Sequence, residues 1–264
     1  MERRADVAVL VGGLPAWVQA GYPLAPIAVD VRPAGVSWKP LPADAPVRTV
    51  ADLETARSTQ DAFAANLIGQ DFLAGQELPL RREMAVLFVD MVDSTPLLFR
   101  HSPEQVLALV QAFMEIVVDV GVYHCGNVYD FQGDGALLYF AGPGEAVPAA
   151  FELRETLAAK RRALPELPLG RFALDMGPLV IGVVGTRVRR SVTLVGPSIN
   201  VAARILKLAP PGGIIATESV VEHAKRTDPD LARQFARLPE PQHLKGVDRG
   251  PLELYVAPVR RGGT

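Results

Sequence analysis

Residues 127–140 read NVYDFQGDGALLYF. Two runs rich in β-branched, aromatic and large apolar residues flank Gly133-Asp134-Gly135, and Asp-Gly between such runs is a strong hairpin signal. The turn would carry Asp134 at its tip. Taken alone, such an aspartate serves turn chemistry, because its side chain bonds nearby backbone. Upstream, however, the run MAVLFV over 84–89 ends in Asp90. A strand that is apolar at every position belongs in the middle of a sheet with both faces covered. Two carboxylates delivered together to a strand end and a turn repel, and a divalent cation is the usual resolution.

Working outward, the strand over 84–90 is followed by a loop and then by a long helix opened by Pro103, PEQVLALVQAFMEIVVDVGVYHC, with Val106, Leu109, Val110, Phe113, Ile116, Val117 and Val120 on one face. After the hairpin comes a second helix over about 144–162, whose basic end, Lys160 to Arg162, suits the helix dipole. Two short strands are predicted at 171–176 and 179–184, then a helix from Ser198 and Asn200 to Leu208. Gly212-Gly213 and IIAT begin a further strand and short helix, and LELYVA over 252–257 is the last strand. Strand, helix, hairpin, helix, strand is the order of an α+β, ferredoxin-like split βαβ sandwich. One face of its sheet is expected to stay open for a ligand or partner.

The chain has 264 residues, is 49% hydrophobic and carries a formal net charge of −2. That is ample for a core and gives no global basic field of the kind nucleic-acid binders show, so no nucleic-acid partner is expected. Cys125 is the only cysteine and the four histidines are scattered, which excludes an internal disulfide and offers no zinc pattern. No apolar run is read as approaching the ~20 residues of a membrane span, and the apolar stretch at 7–18 is broken by Gly12, Gly13 and Pro15. A soluble, cytoplasmic protein is expected.

Residues 6–26 place a β-branched run before GGLPAWVQAGYPLAP. This piece resembles the C-terminal end of a rhodanese domain. The resemblance implies no sulfurtransferase chemistry, because the persulfide cysteine of that family belongs upstream of it. Prolines at 26, 33, 40, 42 and 46 then deny regular helix. The expected organisation is a rhodanese-like remnant and proline-rich linker over 1–49 and an amphipathic helix linker over 50–81, built on Leu53, Ala56, Phe63, Leu67, Ile68 and Phe72. The main domain follows over 82–258, with a tail at 259–264.

That main domain resembles a class III nucleotidyl cyclase catalytic domain, on four separated motifs in matching order: LFVDMVDST at 87–95, FQGDGALLYF at 131–140, TLVGPSINVAAR at 193–204 and HLKGVDRGPLELY at 243–255. The resemblance implies conversion of a nucleoside triphosphate to the 3′,5′-cyclic monophosphate and pyrophosphate, with two Mg²⁺ or Mn²⁺ ions per site. It makes Asp90 and Asp134 the metal ligands. It gives the ribose to Asn200, the α-phosphoryl charge to Arg204 and the terminal phosphates to Lys245, while the 91–95 loop with Ser94 and Thr95 holds triphosphate oxygens. Asn200 and Arg204, four apart, would share one helix face. In that family the aspartates and the Asn/Arg pair come from different chains, so the resemblance implies a homodimer with sites at its interface and a role in second-messenger signalling.

Two positions depart from the pattern. The base-reading lysine of adenylyl cyclases is Asp130 here, with Thr193 as its partner position. A carboxylate can meet the two donors of guanine but offers no donor to adenine N1. Asp130 either reads the base or forms a salt bridge at the dimer interface, so ATP, GTP and pyrimidine triphosphates all stay open. The competing expectation is a catalytically inactive cyclase-homology module that binds a nucleotide or regulates a partner. A diguanylate cyclase is disfavoured by the missing Gly-Gly-Asp/Glu-Glu-Phe turn.

Overall fold

Strand β1 (Leu80–Met91) runs through the middle of the sheet, antiparallel to β3 on one side and to β4 on the other. A computed structural model describes residues 78–185, 190–247 and 250–259. The rhodanese-like piece, the proline-rich linker, almost all of the expected 50–81 helix and almost all of the tail lie outside the described residues. Where the two overlap, Leu80 and Arg81 are strand rather than helix, so β1 opens four residues before the strand expected at 84–90 and two before the expected domain start at 82.

After β1 come α1 (Ser94–Arg100), α2 (Pro103–Tyr123), β2 (Asn127–Gln132), β3 (Gly135–Phe140), α3 (Pro143–Ala163), β4 (Gly170–Gly185) and β5 (Arg190–Val195). Then follow α4 (Pro197–Ile205), a 3₁₀ turn at Leu206–Leu208, β6 (Ile214–Thr217), α5 (Glu218–Thr227), α6 (Pro229–Ala232), β7 (Ala236–Arg237) and β8 (Leu254–Ala257). The sheet order is β2-β3-β1-β4-β6-β8-β7, with β5 paired to β4. Each of the first two helical connections crosses one intervening strand, which is the split βαβ arrangement the sequence predicted.

Helix α2 starts where its residues dictate. Ser102 caps it, accepting from the Gln105 N–H at 3.4 Å while the Gln105 side chain accepts from the Ser102 N–H at 2.9 Å, and Pro103 follows at the first helical position. Its 21 residues are long and apolar enough to cross a membrane, contrary to the sequence expectation. Here the apolar side is spent on the sheet: Leu109, Phe113, Met114, Val117 and Val120 are buried.

The core lies on both sides of the sheet. Val89, Leu87 and Ala85 of β1 face α2, α3 and α5 through Phe113, Phe151 and Val221. Phe88, Val86 and Met84 face α4 and the 3₁₀ turn through Val201, Ile205 and Leu206. The sheet face expected to stay open is therefore covered over its middle, because a strand apolar on both sides needs apolar cover on both. A nine-residue helix such as α4 is marginal by itself, and burying side chains of this size, at about 1.5–3 kcal/mol each, is what fixes it there.

The strands expected at 171–176 and 179–184 are one strand, the 16-residue β4. Gly177-Pro178 reads as a break in the sequence, yet Pro178 pairs with Glu83 of β1. On its other side β4 pairs with β6 at 172–174 and with β5 from 180 onward. Pro178 falls between those two partners, so on that side no strand pairs with it.

Candidate active site

The register of β1 brings the first acid into place. Asp90 stands opposite Gly135 of β3 and Arg171 of β4. The β2–β3 loop is two residues, Gly133 and Asp134, and Gly133 has φ 67°, the left-handed value a tight hairpin asks of glycine at its first loop position. The Met91 N–H donates to the Asp134 carbonyl at 3.2 Å, so the hairpin tip is tied to the end of β1. Asp90 and Asp134, 44 residues apart in sequence, are thereby neighbours, as expected from the sequence.

Only glycine fits at 135. A Cβ there would lie 2.8 Å from the Val89 carbonyl oxygen and 3.5 Å from Asp90 Oδ1. Asp90 is about a quarter exposed and accepts a hydrogen bond from Arg171 at 2.8 Å. Burial first, and the Asp134 charge second, push its pKa above the ordinary aspartate value, against the pull of Arg171 and Lys207. Asp134 accepts a short hydrogen bond from the Ser94 hydroxyl at the start of α1. Thr95 lies exposed in the same turn. Two N–H groups of the 91–95 loop are already committed, Met91 to the Asp134 carbonyl and Val92 to the Leu169 carbonyl at 2.7 Å.

The second group gathers on the sheet face that α4 covers. Asn200 and Arg204 are exposed on that helix and line a groove of about 440 Å³ with Lys207, His243 and Lys245. Lys245 reaches it through a turn in which the Val247 N–H donates to the Leu244 carbonyl at 3.0 Å and Gly246 takes φ 73°. A Cβ on Gly246 would sit 3.2 Å from an Arg204 guanidinium nitrogen, so the glycine lets the loop close on the arginine. The groove thus combines one amide with three permanent or near-permanent cations.

The expected base-reading positions lie on β2 and β5. The β2 strand carries an irregularity between Val128 and Asp130, opposite Leu138 and Leu137, which leaves Tyr129 unpaired. Tyr129 then turns its hydroxyl to Thr193, 3.3 Å away, while Asp130 stands exposed. Arg171, Lys207 and Tyr129 were missed from the sequence. The i, i+3 spacing of Lys207 from Arg204 could have signalled one of them; the registers that place Arg171 and Tyr129 leave no local trace.

No protein-family model matches the chain. Among curated proteins it is 31% identical over 190 residues to an uncharacterized protein of Mycobacterium tuberculosis, covering 68% of this chain and 35% of that protein. A second uncharacterized protein of the same organism is 30% identical over 229 residues, covering 81% and 38%. The chain therefore spans little more than a third of the curated relatives it matches. Among solved structures it is similar to the adenylyl cyclase CyaB of P. aeruginosa, at a TM-score of 0.61 and 19% identity over 71% of this chain and all of that one. It is also similar to the GTP-bound guanylate cyclase domain of RhGC from Catenaria anguillulae, at 0.57 and 21% over 67% and 97%. The described domain has the fold of the class III adenylyl and guanylyl cyclase catalytic domains.

Proposed function

We propose that this domain, built on the cyclase fold, is a homodimeric nucleotidyl cyclase that converts a nucleoside triphosphate, a purine one by preference, to its 3′,5′-cyclic monophosphate and pyrophosphate. The observation that carries the proposal is the juxtaposition of Asp90 and Asp134 on a fold that also assembles Asn200, Arg204 and Lys245 around one groove.

The acid pair suits hard divalent cations. Both groups are oxygen donors, and the proximity of Asp134 disfavours the ionised form of Asp90, a cost that bound positive charge reverses. Among the described residues no cluster of three or more His, Cys, Asp and Glu occurs, so further ligands would be backbone and substrate oxygens. Asp90 and Asp134 would hold Mg²⁺ or Mn²⁺, which when bound offsets charge on the attacking and leaving oxygens of an in-line displacement. Ser94 fixes the direction of the Asp134 carboxylate. Arg171 holds Asp90 from the β4 side and has a buried Nε without a hydrogen-bond partner.

In the groove, the Asn200 amide orients the ribose. Arg204 meets the charge that develops on the α-phosphoryl group, and Lys245 binds the terminal phosphates. Tyr129 and Thr193 present hydroxyls that donate or accept, which accommodates either purine, and Asp130 adds an acceptor that favours guanine. The aspartates of one chain would work with the groove of its partner.

The test is direct. Incubated separately with ATP, GTP, CTP and UTP and Mn²⁺, the protein is expected to yield a cyclic product identifiable by mass. Asp90→Ala and Asp134→Ala are each expected to abolish metal-dependent pyrophosphate release. Turnover unchanged in either variant rejects the metal assignment, and nucleotide binding with no cyclic product from any triphosphate identifies a binding module instead.

A further inference from the structure

His243 is a groove residue that the cyclase reading above does not use, and its assignment here rests on that reading. The segment that carries it is held at both ends. Gln242 exchanges two backbone hydrogen bonds with Leu252, at 2.8 and 2.9 Å, and the Val247 N–H donates to the Leu244 carbonyl at 3.0 Å. Between these ties Leu244 packs against the core cluster that also holds Val201, Ile205 and Leu206 of α4 and the 3₁₀ turn. The residues on either side of that anchor, His243 and Lys245, are exposed and line the groove with Arg204 and Lys207. Among the described residues no carboxylate lines it. Three standing cations without a counter-charge ask for a polyanion, and the imidazole stands among them.

We propose that His243 is a substrate-binding residue whose imidazolium donates to phosphate oxygens of the nucleoside triphosphate beside Lys245, so that binding is linked to uptake of a proton from the solvent. A bound polyphosphate brings several negative charges to the ring, and nearby opposite charge favours the protonated form. Arginine and lysine are charged with or without the ligand, whereas histidine can change charge near neutral pH. Of the groups that line the groove, His243 is thus the one able to couple phosphate binding to pH. On the cyclase reading the metal-holding acids come from the partner chain, so a polyphosphate offered without metal probes the groove by itself.

Binding of inorganic tripolyphosphate to the 264-residue chain is measured calorimetrically without metal, at about pH 6 and about pH 8. Repeating it in buffers of different ionisation enthalpy counts the protons taken up. Tripolyphosphate itself titrates in this range, so His243→Gln supplies the baseline. At the lower pH wild type is expected to bind about tenfold more tightly than His243→Gln, with the difference shrinking to about twofold or less at the higher pH. Wild type should also take up more protons on binding than the variant does. His243→Arg, charged at both pH values, should bind tightly at both and match His243→Gln in proton uptake. With the nucleotide, His243→Gln should raise KM more than it lowers kcat at the lower pH. The assignment is overturned by a wild type that does not bind tripolyphosphate or by equal affinities in wild type and His243→Gln at both pH values. It is also overturned by a loss in His243→Gln that is the same at both with unchanged proton uptake, which is the mark of a merely structural role. Cyclic product is scored separately. Proton-linked tripolyphosphate binding through His243 without cyclic product from any triphosphate rejects the cyclase reading and keeps His243 as a phosphate ligand. Cyclic product with affinity, proton uptake and KM unchanged in His243→Gln does the reverse.

Discussion

At the scale of single residues, Asp90, proposed above as a metal ligand, is held at a cost to the fold. Burial and Asp134 raise its pKa, so the folded state favours the neutral acid. The contribution to stability is complete below the ordinary carboxylate pKa and is lost as pH rises through the raised folded value. Asp90→Asn, which is neutral at every pH, should therefore melt higher than wild type at neutral pH in the absence of metal. The gap should close as pH falls below the ordinary aspartate pKa, where both carry an uncharged group. On the proposed metal assignment, added Mn²⁺ should reverse the order, because only the wild type retains both carboxylates. Melting curves at several pH values, with and without Mn²⁺, check both signs. Asp90 and Asp134 were legible in the sequence because a strand end and an Asp-Gly turn are local signals. Arg171 was not, since its position opposite Asp90 exists only once β1 and β4 have found their register over 81 residues.

At the scale of elements, what could be read from the sequence were the caps and the periodicities, and what could not were the joins. The capping box at Ser102 announces α2, and Ser102→Ala should cost about 1 kcal/mol in denaturant unfolding. Gly177-Pro178 announces a break that does not happen, because strand continuity was decided by which neighbours β4 has at that point. The glycine ahead of α4 is similarly contextual. A Cβ on Gly196 would stand 2.4 Å from a Leu179 methyl carbon and 2.6 Å from the Pro178 carbonyl oxygen, and a backbone atom cannot yield as a side chain can. Gly196→Ala should destabilise by about 1–3 kcal/mol and, by displacing α4, also lower any activity that depends on Asn200 and Arg204. Gly144 in the first turn of α3 has nothing within 4 Å of such a Cβ, so Gly144→Ala should be neutral or stabilise by about 0.5 kcal/mol. The same unfolding assay compares the three variants.

At the scale of the whole molecule, the question is how the acid pair and the groove are combined. If sites form between two copies, an Asp90→Ala chain and an Arg204→Ala chain are each inactive alone, yet mixing them should restore activity. Random pairing makes half of the dimers mixed, each with one intact site of two, so about a quarter of the wild-type rate is expected. Activity assays on the mixture, with sedimentation to confirm dimers, check this; a fully active monomer, or no recovery in verified mixed dimers, rejects it. The order of strands and helices, and hence the fold, could be read along the chain because each helical connection and the hairpin left a local pattern. The cover over the second sheet face could not, since it depends on a short helix whose nine residues carry little signal apart from the groove residues themselves.

One property of β1 bears on which sequence changes this architecture can absorb. Its central residues are apolar toward both sides, so a frame slip by one position would exchange the two faces without exposing a polar row, and hydrophobic patterning alone would not resist it. The lock is steric: Gly135 must lie against the Val89 carbonyl, and any other residue brought to that place by an insertion or deletion in β1 or β3 would collide. Length variation should therefore be tolerated in the loops around this pair of strands and excluded within them.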